Sequence, residues 1–189
     1  MPILPPQLLT QQTFRVLLQA LSHPGRVLTL PAGTPPESWR TVLPTLLDQE
    51  VSFAVLGPGA EVVAAELQDL TQAPVSELAQ ADFLLIMGGG SQGRVLEAKR
   101  GCLEYPDQGA TLFYLVEEVR EGGLQPAPVR LTGPGIPTAR CPVVRGLDQA
   151  EWQYLTQINR EFPLGVDCFF LDRQQQVMGL PRSTRVEIE

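Results

Sequence analysis

Two arginines and two hydroxyl side chains stand together near the carboxyl end of the sequence, in the segment Arg182-Ser183-Thr184-Arg185. A guanidinium group binds a carboxylate or a phosphate through two parallel hydrogen bonds, and neighbouring hydroxyls can add donors. If this segment is extended, Arg182 and Thr184 point to one side, and Ser183 and Arg185 point to the other. The pattern is typical of a site for phosphate or for a partner protein's carboxylates, with a solvated strand edge as the alternative.

A further arginine precedes a glycine-rich turn. Arg130 begins the sequence Arg-Leu-Thr-Gly-Pro-Gly-Ile, in which Gly133 and Gly135 expose backbone amides that could hold an anion beside the arginine. A plain turn is the alternative. Asp167 lies on a predicted strand, where alternation points its carboxylate away from Val166 and makes it available to pair with an arginine.

The glycine run at residues 88–93, Gly-Gly-Gly-Ser-Gln-Gly, satisfies the spacing G-x-G-x-x-G. It follows a predicted strand and opens a predicted helix, which is the setting in which glycines let a backbone approach the pyrophosphate of a dinucleotide. Glu117 or Glu118, after the next strand, could then contact a ribose. The motif lies in mid-chain, however, and three successive glycines match many spacings by chance, so a flexible turn is the alternative.

The remaining reactive residue types predict no catalytic group, no metal site and no cofactor. His23 is the only histidine, and its position before Pro24 and Gly25 is typical of a residue that caps a helix end. Lys99 is the only lysine, and it lies on a predicted amphipathic helix rather than where a pyridoxal-phosphate Schiff base would form. The three cysteines lack zinc-binding spacing, and the acidic residues form no calcium-binding loop.

The composition excludes several classes of function. A net charge of −7 is unfavourable for binding nucleic acid or anionic membranes. No apolar run approaches the roughly 20 residues that cross a bilayer, and the first residues lack the pattern of a signal peptide. An odd number of cysteines without a C-x-x-C pair predicts reduced thiols and a cytoplasmic location.

Hydrophobic periodicity predicts one α/β domain over residues 1–189. Predicted helices cover residues 10–21, 35–48 with a break at Pro44, 91–100, and 148–160, where Asp148 and Glu151 suggest a capping box. Residues 60–67 are ambiguous. Predicted strands cover residues 26–30, 51–56, 82–87, 110–117, 128–132, 166–171, 176–180 and 185–188, with a hairpin at 172–175. The order predicts a mixed sheet with helices on both faces.

Five segments, in order along the chain, resemble the PhnH family of the bacterial carbon–phosphorus lyase system. They are residues 14–25, 109–112, 131–136, 162–167 and 181–187. Each is short, but five in the same order are specific, and together they bracket almost the whole chain. Residues between about 58 and 107 carry no resemblance, so the glycine run at 88–93 gains no support from this family.

The resemblance implies a fold similar to the large domain of pyridoxal-phosphate-dependent transferases, without the cofactor site. It also implies a subunit that acts with PhnG, PhnI and PhnL when a phosphonate is joined to the ribose C1′ of a nucleoside triphosphate, before PhnJ cleaves the carbon–phosphorus bond. The family is further associated with a homodimer. It offers no established catalytic residue to carry over, so the expected role is that of an accessory subunit of the transferase.

Within the resembling segments, we expect an arginine-bearing interface or anion-binding surface. The candidate residues are Arg15, Arg130, Asp167, Arg182, Ser183, Thr184 and Arg185. Two other functions stay open: a dinucleotide-dependent enzyme that uses the 88–93 loop, and a stand-alone phosphate- or nucleotide-binding protein.

Overall fold

Six strands form the central sheet of the computed structural model, which describes residues 6–33, 35, 37–122 and 128–188. The helices in this part of the chain are α1 Pro6–Ser22, α2 Trp39–Val42, α3 Ala60–Thr71 and α4 Gln149–Ile158. The strands are β1 Val27–Thr29, β2 Phe53–Leu56, β3 Phe83–Ile86, β4 Thr111–Leu115, β5 Glu118–Arg120, β6 Val129–Thr132, β7 Val143–Arg145, β8 Asp167–Leu171, β9 Gln176–Leu180 and β10 Arg185–Ile188.

The central sheet is mixed, with the strand order β1-β9-β8-β4-β3-β2. Strands β2, β3, β4 and β8 run parallel, whereas β9 runs antiparallel to both of its neighbours. Leu85, Phe113 and Phe169 are paired across three adjacent strands, and the two phenylalanine rings stack with centroids 5.1 Å apart. Parallel strands are stable when both faces are covered, which explains their continuous apolar sequences.

Helices cover both faces of this sheet, as the sequence predicts. Residues of α1, α2 and α3 pack on the face that carries Leu85 and Phe113. Residues of α4, together with the two-stranded sheets β6–β10 and β5–β7, pack on the face that carries Tyr114 and Phe170. The mixed α/β architecture is therefore confirmed.

Helix α1 packs against β9 through a different face from the one that its largest apolar side chains suggest. The inward side carries Leu17 and Ala20, while Phe14 and Leu18 are 46% and 50% exposed. The reason is a close approach: a Cβ atom added at Gly179 of β9 would lie 2.5 Å from the carbonyl carbon of Ala20. Only small residues allow a helix backbone to lie this near a strand.

Several predicted elements differ in the structure. The predicted helix at residues 91–100 is wrong: this segment contains only a 3₁₀ turn, Arg94–Glu97, because Gly93 has a left-handed φ of 83° and Ala98 is already extended. The helix predicted for residues 35–48 shrinks to α2 and a 3₁₀ turn that contains Pro44, and residue 36 of the predicted range lies outside the described part. The ambiguous segment 60–67 is helical as part of α3, and the short strands β5 and β7 had no sequence signal.

Lys99 is half-buried at the end of the sheet where the parallel strands begin. Its ammonium lies 2.5 Å from the Asp82 carboxylate, which also accepts hydrogen bonds from the backbone and hydroxyl of Ser52. Burial alone would raise the pKa of Asp82, but the hydrogen bonds from Lys99 and Ser52 outweigh burial and leave this pKa below its ordinary value.

This ion pair predicts acid sensitivity. Because the folded-state pKa of Asp82 is lowered, its contribution is present above the unfolded-state pKa and is lost as the pH falls through the folded-state pKa. Replacing Lys99 with Met should therefore make the melting temperature fall less steeply between about pH 5 and pH 2. Arg94→Met is the matched control, since its ion pair with Glu97 is 3.8 Å long and exposed. Identical slopes for wild type and Lys99→Met would contradict this role.

Candidate functional site

The Asp167 carboxylate and the Arg182 guanidinium form a largely buried ion pair where β8 begins and β9 has ended. Nη2 of Arg182 lies 2.8 Å from Oδ2 of Asp167, and the backbone N–H of Arg182 donates to Oδ1 at 2.8 Å. Nη1 of Arg182 donates to the carbonyl of Pro106. The sequence predicted Asp167 as a partner for an arginine, and the structure pairs it with Arg182 inside the chain. This guanidinium therefore has few donors left for an external anion.

The other members of the C-terminal segment differ in exposure. Ser183 is half-buried, and Thr184 is buried, with an Oγ1 atom that has no hydrogen-bond partner among the described residues. Arg185 is exposed, and within the described ranges the structure records no ion pair for it. Of the two predicted arginines, one is therefore internal and the other faces solvent.

Arg130 and Arg15 lie apart from this pair. Arg130, on β6, pairs at 2.8 Å with Glu187, its register partner on β10. Arg15 is exposed on α1, which packs on the opposite face of the sheet. The candidate arginines thus do not converge on one pocket, and only Arg182 and Arg185 share a groove.

That groove, of about 580 Å³, runs between α4 and the C-terminal segment. Residues Arg182 to Glu187 form one wall, and Thr156, Asn159 and Arg160 form the other. Phe162 stands at the groove with 64% of its surface exposed. The combination of an exposed aromatic ring with arginines is typical of the parts of a surface that bind another protein.

Glycines allow four of the five segments that resemble PhnH to approach each other closely near this groove. A Cβ atom at Gly109 would lie 2.2 Å from the carbonyl oxygen of Gly165 and 2.7 Å from Nη1 of Arg182. One at Gly133 would lie 3.0 Å from the carbonyl oxygen of Ser183. The turn at Gly133 is therefore packed against the C-terminal segment, and this contact leaves little room for an anion between them.

The same turn also touches the end of α1. A Cβ atom at Gly135 would lie 2.4 Å from the carbonyl oxygen of Ser22, and one at Gly25 would lie 3.0 Å from the side chain of Leu131. His23, in the same segment, places Nδ1 3.2 Å from the carbonyl oxygen of Gln19, which confirms it as a helix-end residue. All five segments that resemble PhnH thus meet at the end of the sheet where the parallel strands begin.

Comparison with known proteins agrees with these segments. The model of the family "Bacterial phosphonate metabolism protein (PhnH)" matches residues 5–187. The chain belongs to the PhnH family. It is also 36% identical over 181 residues to "Putative C-P lyase subunit protein HtxG" of Stutzerimonas stutzeri. The aligned residues cover 95% of this chain and 86% of that protein.

A buried carboxylate to which the sequence assigned only a helix-capping role lies near the carboxyl ends of β3 and β4 in this PhnH-family chain. Glu151 has no exposed surface; its Oε1 accepts from the backbone N–H of Ser91 at 2.7 Å, and its Oε2 accepts from the Tyr114 hydroxyl at 2.7 Å. The Ser91 hydroxyl donates to both oxygens. Burial, with the nearby charges, raises the pKa of Tyr114 well above its ordinary value, so this hydroxyl stays protonated and donates.

The capping box predicted for α4 is only half right. Asp148 does cap the helix, since its side chain accepts from the backbone N–H of Ala150. Glu151, instead of reaching back to the cap, turns inward to the loop that follows β3. The sequence signal that could have found it is a glutamate three positions after a cap that also falls on the apolar face, with Trp152 and Leu155.

This carboxylate also decides the environment of the glycine run at 88–93. A Cβ atom at Gly89 would lie 1.6 Å from the carbonyl oxygen of Gly146, and the N–H of Ser91 is bound to Glu151. No α-helix follows the run. The loop therefore lacks the helix N-terminus that a pyrophosphate site requires, and Gly89 serves the close approach to Gly146.

A wider cleft of about 910 Å³ lies at the carboxyl ends of β3, β4 and β8. Gly88, Glu117 and Arg173 are among its lining residues, whereas none of the seven predicted interface residues reaches it. Crevices at this edge commonly hold ligands in α/β sheets. Among the described residues, no group of three or more histidine, cysteine or acidic side chains could hold a metal ion, and no helix is long and apolar enough to span a membrane.

The buried carboxylate predicts a large stability effect. Glu151→Ala leaves the donors of Ser91 and Tyr114 without their acceptor and opens a cavity, so the free energy of unfolding should fall by about 3 kcal/mol or more. Glu151→Gln, which keeps the shape and one acceptor, should lose less. Glu97→Ala on the surface is the control and should change stability by less than about 0.5 kcal/mol. Denaturant unfolding measures all three, and equal losses for Glu151→Ala and Glu97→Ala would overturn this assignment.

The two arginines of the C-terminal segment predict opposite sensitivities. Arg182→Lys cannot keep the paired contacts to Asp167 together with the contact to Pro106, so we expect a loss of about 1–3 kcal/mol in the free energy of unfolding. Arg185→Lys, three positions later and exposed, should change it by less than about 0.5 kcal/mol. Thermal and denaturant unfolding of the two variants should therefore separate them, and a neutral Arg182→Lys would disprove the internal role.

Proposed function

We propose that this chain is an accessory subunit of a carbon–phosphorus lyase core complex. Its partners would be PhnG, PhnI, PhnJ and PhnL, and its role would be to support transfer of a phosphonate to the ribose C1′ of a nucleoside triphosphate. The observation that carries the proposal is the family match over residues 5–187, together with the 36% identity to a protein named as a C-P lyase subunit. A cytoplasmic location and a homodimer belong to the same proposal.

The side-chain geometry supports an accessory rather than a catalytic role. The two best-organised carboxylates, Asp167 and Glu151, are both saturated by donors of this chain. A catalytic acid or base must instead be within hydrogen-bond reach of the substrate. These carboxylates build the scaffold, and the surface then provides the contacts to other subunits.

The fold is consistent with the resemblance to the large domain of pyridoxal-phosphate-dependent transferases, because it has a mostly parallel sheet covered on both faces. Its only lysine is engaged with Asp82 at the edge where the parallel strands begin. Ligand crevices in such sheets lie at the carboxyl ends of the parallel strands. Lys99 lies at the other end, so it is not placed to hold a cofactor there. We propose that the fold was kept while the surface became an interface, to which Arg15, Arg130 and the C-terminal segment contribute.

Co-purification tests the proposal. When the chain is co-expressed with PhnG, PhnI, PhnJ and PhnL of the same bacterium and PhnI carries the affinity tag, we expect the chain to be retained in fixed ratio at mild salt. The purified complex should convert ATP and methylphosphonate to the ribose-linked product, and a complex assembled without this chain should not. Retention of an untagged, unrelated acidic protein under the same conditions measures background.

Failure of the chain to co-purify would contradict the proposal. Calorimetry of the isolated chain with ATP and with methylphosphonate gives a second outcome: heat of binding to either would favour a stand-alone binding protein. A subunit that works only within the complex should show neither.

A further inference from the structure

The last strand of the described chain has one open edge. Strand β10 pairs antiparallel with β6, in the register Arg185↔Thr132, Val186↔Leu131 and Glu187↔Arg130. The N–H and C=O of Leu131 are both bonded to Arg140, on the side of β6 away from β10. In an antiparallel pair, hydrogen-bonded and non-hydrogen-bonded residues alternate, so Arg130 and Thr132 bond to β10 and Leu131 does not.

The same alternation determines which groups of β10 face outward. Arg185 and Glu187 are opposite Thr132 and Arg130, so their backbone groups complete the β6–β10 ladder. The N–H and C=O of Val186 therefore point away from β6. Among the described residues, no backbone or side-chain group is recorded as bonding to them. An unpaired edge of this kind is a template for another strand.

The groove described above follows this open edge. It is lined by Arg185 and Glu187, whose side chains point to one face of the strand, and also by Val186, whose side chain points to the other. Lining residues from both faces of one strand are expected of a groove that runs along the strand edge. None of the residues of β6 lines it, so the edge in question is the free edge of β10.

The groove offers two kinds of side-chain contact. Arg160 and Arg185 are exposed, and the structure records no ion pair for either within the described ranges. On the core side, Leu155 and Leu180 line the groove beside the exposed ring of Phe162. A strand laid along β10 would present alternate residues to these two sides, so acidic residues would meet the arginines and apolar residues would meet Phe162.

We propose that the free edge of β10 receives an extended segment of a partner subunit, which adds a third strand to the β6–β10 sheet. The segment alternates acidic and apolar residues and lies along the free edge of β10, beside α4. This inference rests on the proposed function, because it assigns to one surface the contact that a subunit must make. Main-chain hydrogen bonds provide the affinity in such contacts, and the side-chain pattern provides the specificity.

A second copy of this chain fits the groove less well. One wall of the groove is formed by Thr156 of the chain's own α4 and by Asn159 and Arg160, which directly follow this helix. Another copy would bring its β10 together with its own α4, so two helices would compete for the space beside one pair of strands. A bare extended segment avoids this clash, and its acidic residues complement the unpaired arginines.

The Val186 backbone provides the decisive variants. Val186→Pro removes the outward N–H but no hydrogen bond of the β6–β10 ladder, and proline is tolerated at an edge strand whose N–H faces out. Val186→Ala removes more of the side chain than Val186→Pro does, but it keeps the N–H. In the co-purified complex we expect Val186→Ala to bind nearly as wild type, and Val186→Pro to bind at least about tenfold more weakly. Melting temperatures of the isolated variants check that both are folded, and equal binding of folded variants would overturn the inference.

Charge reversal and hydrogen exchange test the same inference without the Val186→Pro variant. Arg185→Glu should weaken binding. Arg173→Glu should not, because this arginine, which is also exposed, lies in the β8–β9 turn at the opposite end of the strands. The Val186 amide should exchange rapidly in the isolated chain and slowly in the complex. Equal effects of the two charge reversals, or an unprotected amide in the complex, would count against the edge.

These outcomes separate the two proposals. If the chain never enters the complex, the proposed function fails. If the chain enters the complex while Val186→Pro binds normally and the Val186 amide stays unprotected, only the edge contact is wrong. If instead the isolated chain protects this amide as its own concentration rises, a second copy occupies the edge, and the inference of a partner segment is overturned.

Discussion

The ion pair between Asp167 and Arg182 is the contact on which the arrangement of this PhnH-family chain depends. It holds the start of the central strand β8, the end of β9 and the turn at Pro106 in one place. Around it, Gly109 and Gly133 allow backbones to approach to distances that a Cβ atom would prevent. A largely buried arginine with paired contacts is costly to replace, because its loss would leave the Asp167 carboxylate without a counter-charge.

A second carboxylate, that of Glu151, connects separate elements at the opposite end of the sheet. Glu151 collects donors from the loop after β3 and from β4, and so attaches α4 to two parallel strands. The glycine run beside Glu151 is packed within the chain, because the N–H of Ser91 is bound to Glu151 and Gly89 lies against the carbonyl of Gly146. The glycine run at 88–93, which in the sequence suggests a nucleotide site, is thus part of the packing between α4 and the loop after β3. The open cleft lies beside it, at the carboxyl ends of the strands.

Much of the architecture was predictable from periodicity and turn residues. The apolar runs at β3, β4 and β8, the hairpin between β8 and β9, and the cap at Asp148 all follow from local rules that the structure obeys. The errors have identifiable physical causes as well. The segment after β3 has helical periodicity, but Gly93 takes a left-handed conformation and Ser91 is bound to Glu151, so no α-helix forms. Helix α1 turns Leu17 and Ala20 inward because its backbone packs closely on Gly179, a residue far away in sequence.

The sequence alone determined the family and the mixed α/β class, because these depend on residue types and their order. It could not separate Arg182 from Arg185, since both flank the same two hydroxyls with the same chemistry. Only the tertiary structure decided that Arg182 turns inward to Asp167 while Arg185 faces solvent. The physical reason is that burial and strand pairing join residues distant in the chain: β6 takes one edge of β10 and leaves the other, with Val186 and Arg185, at the surface.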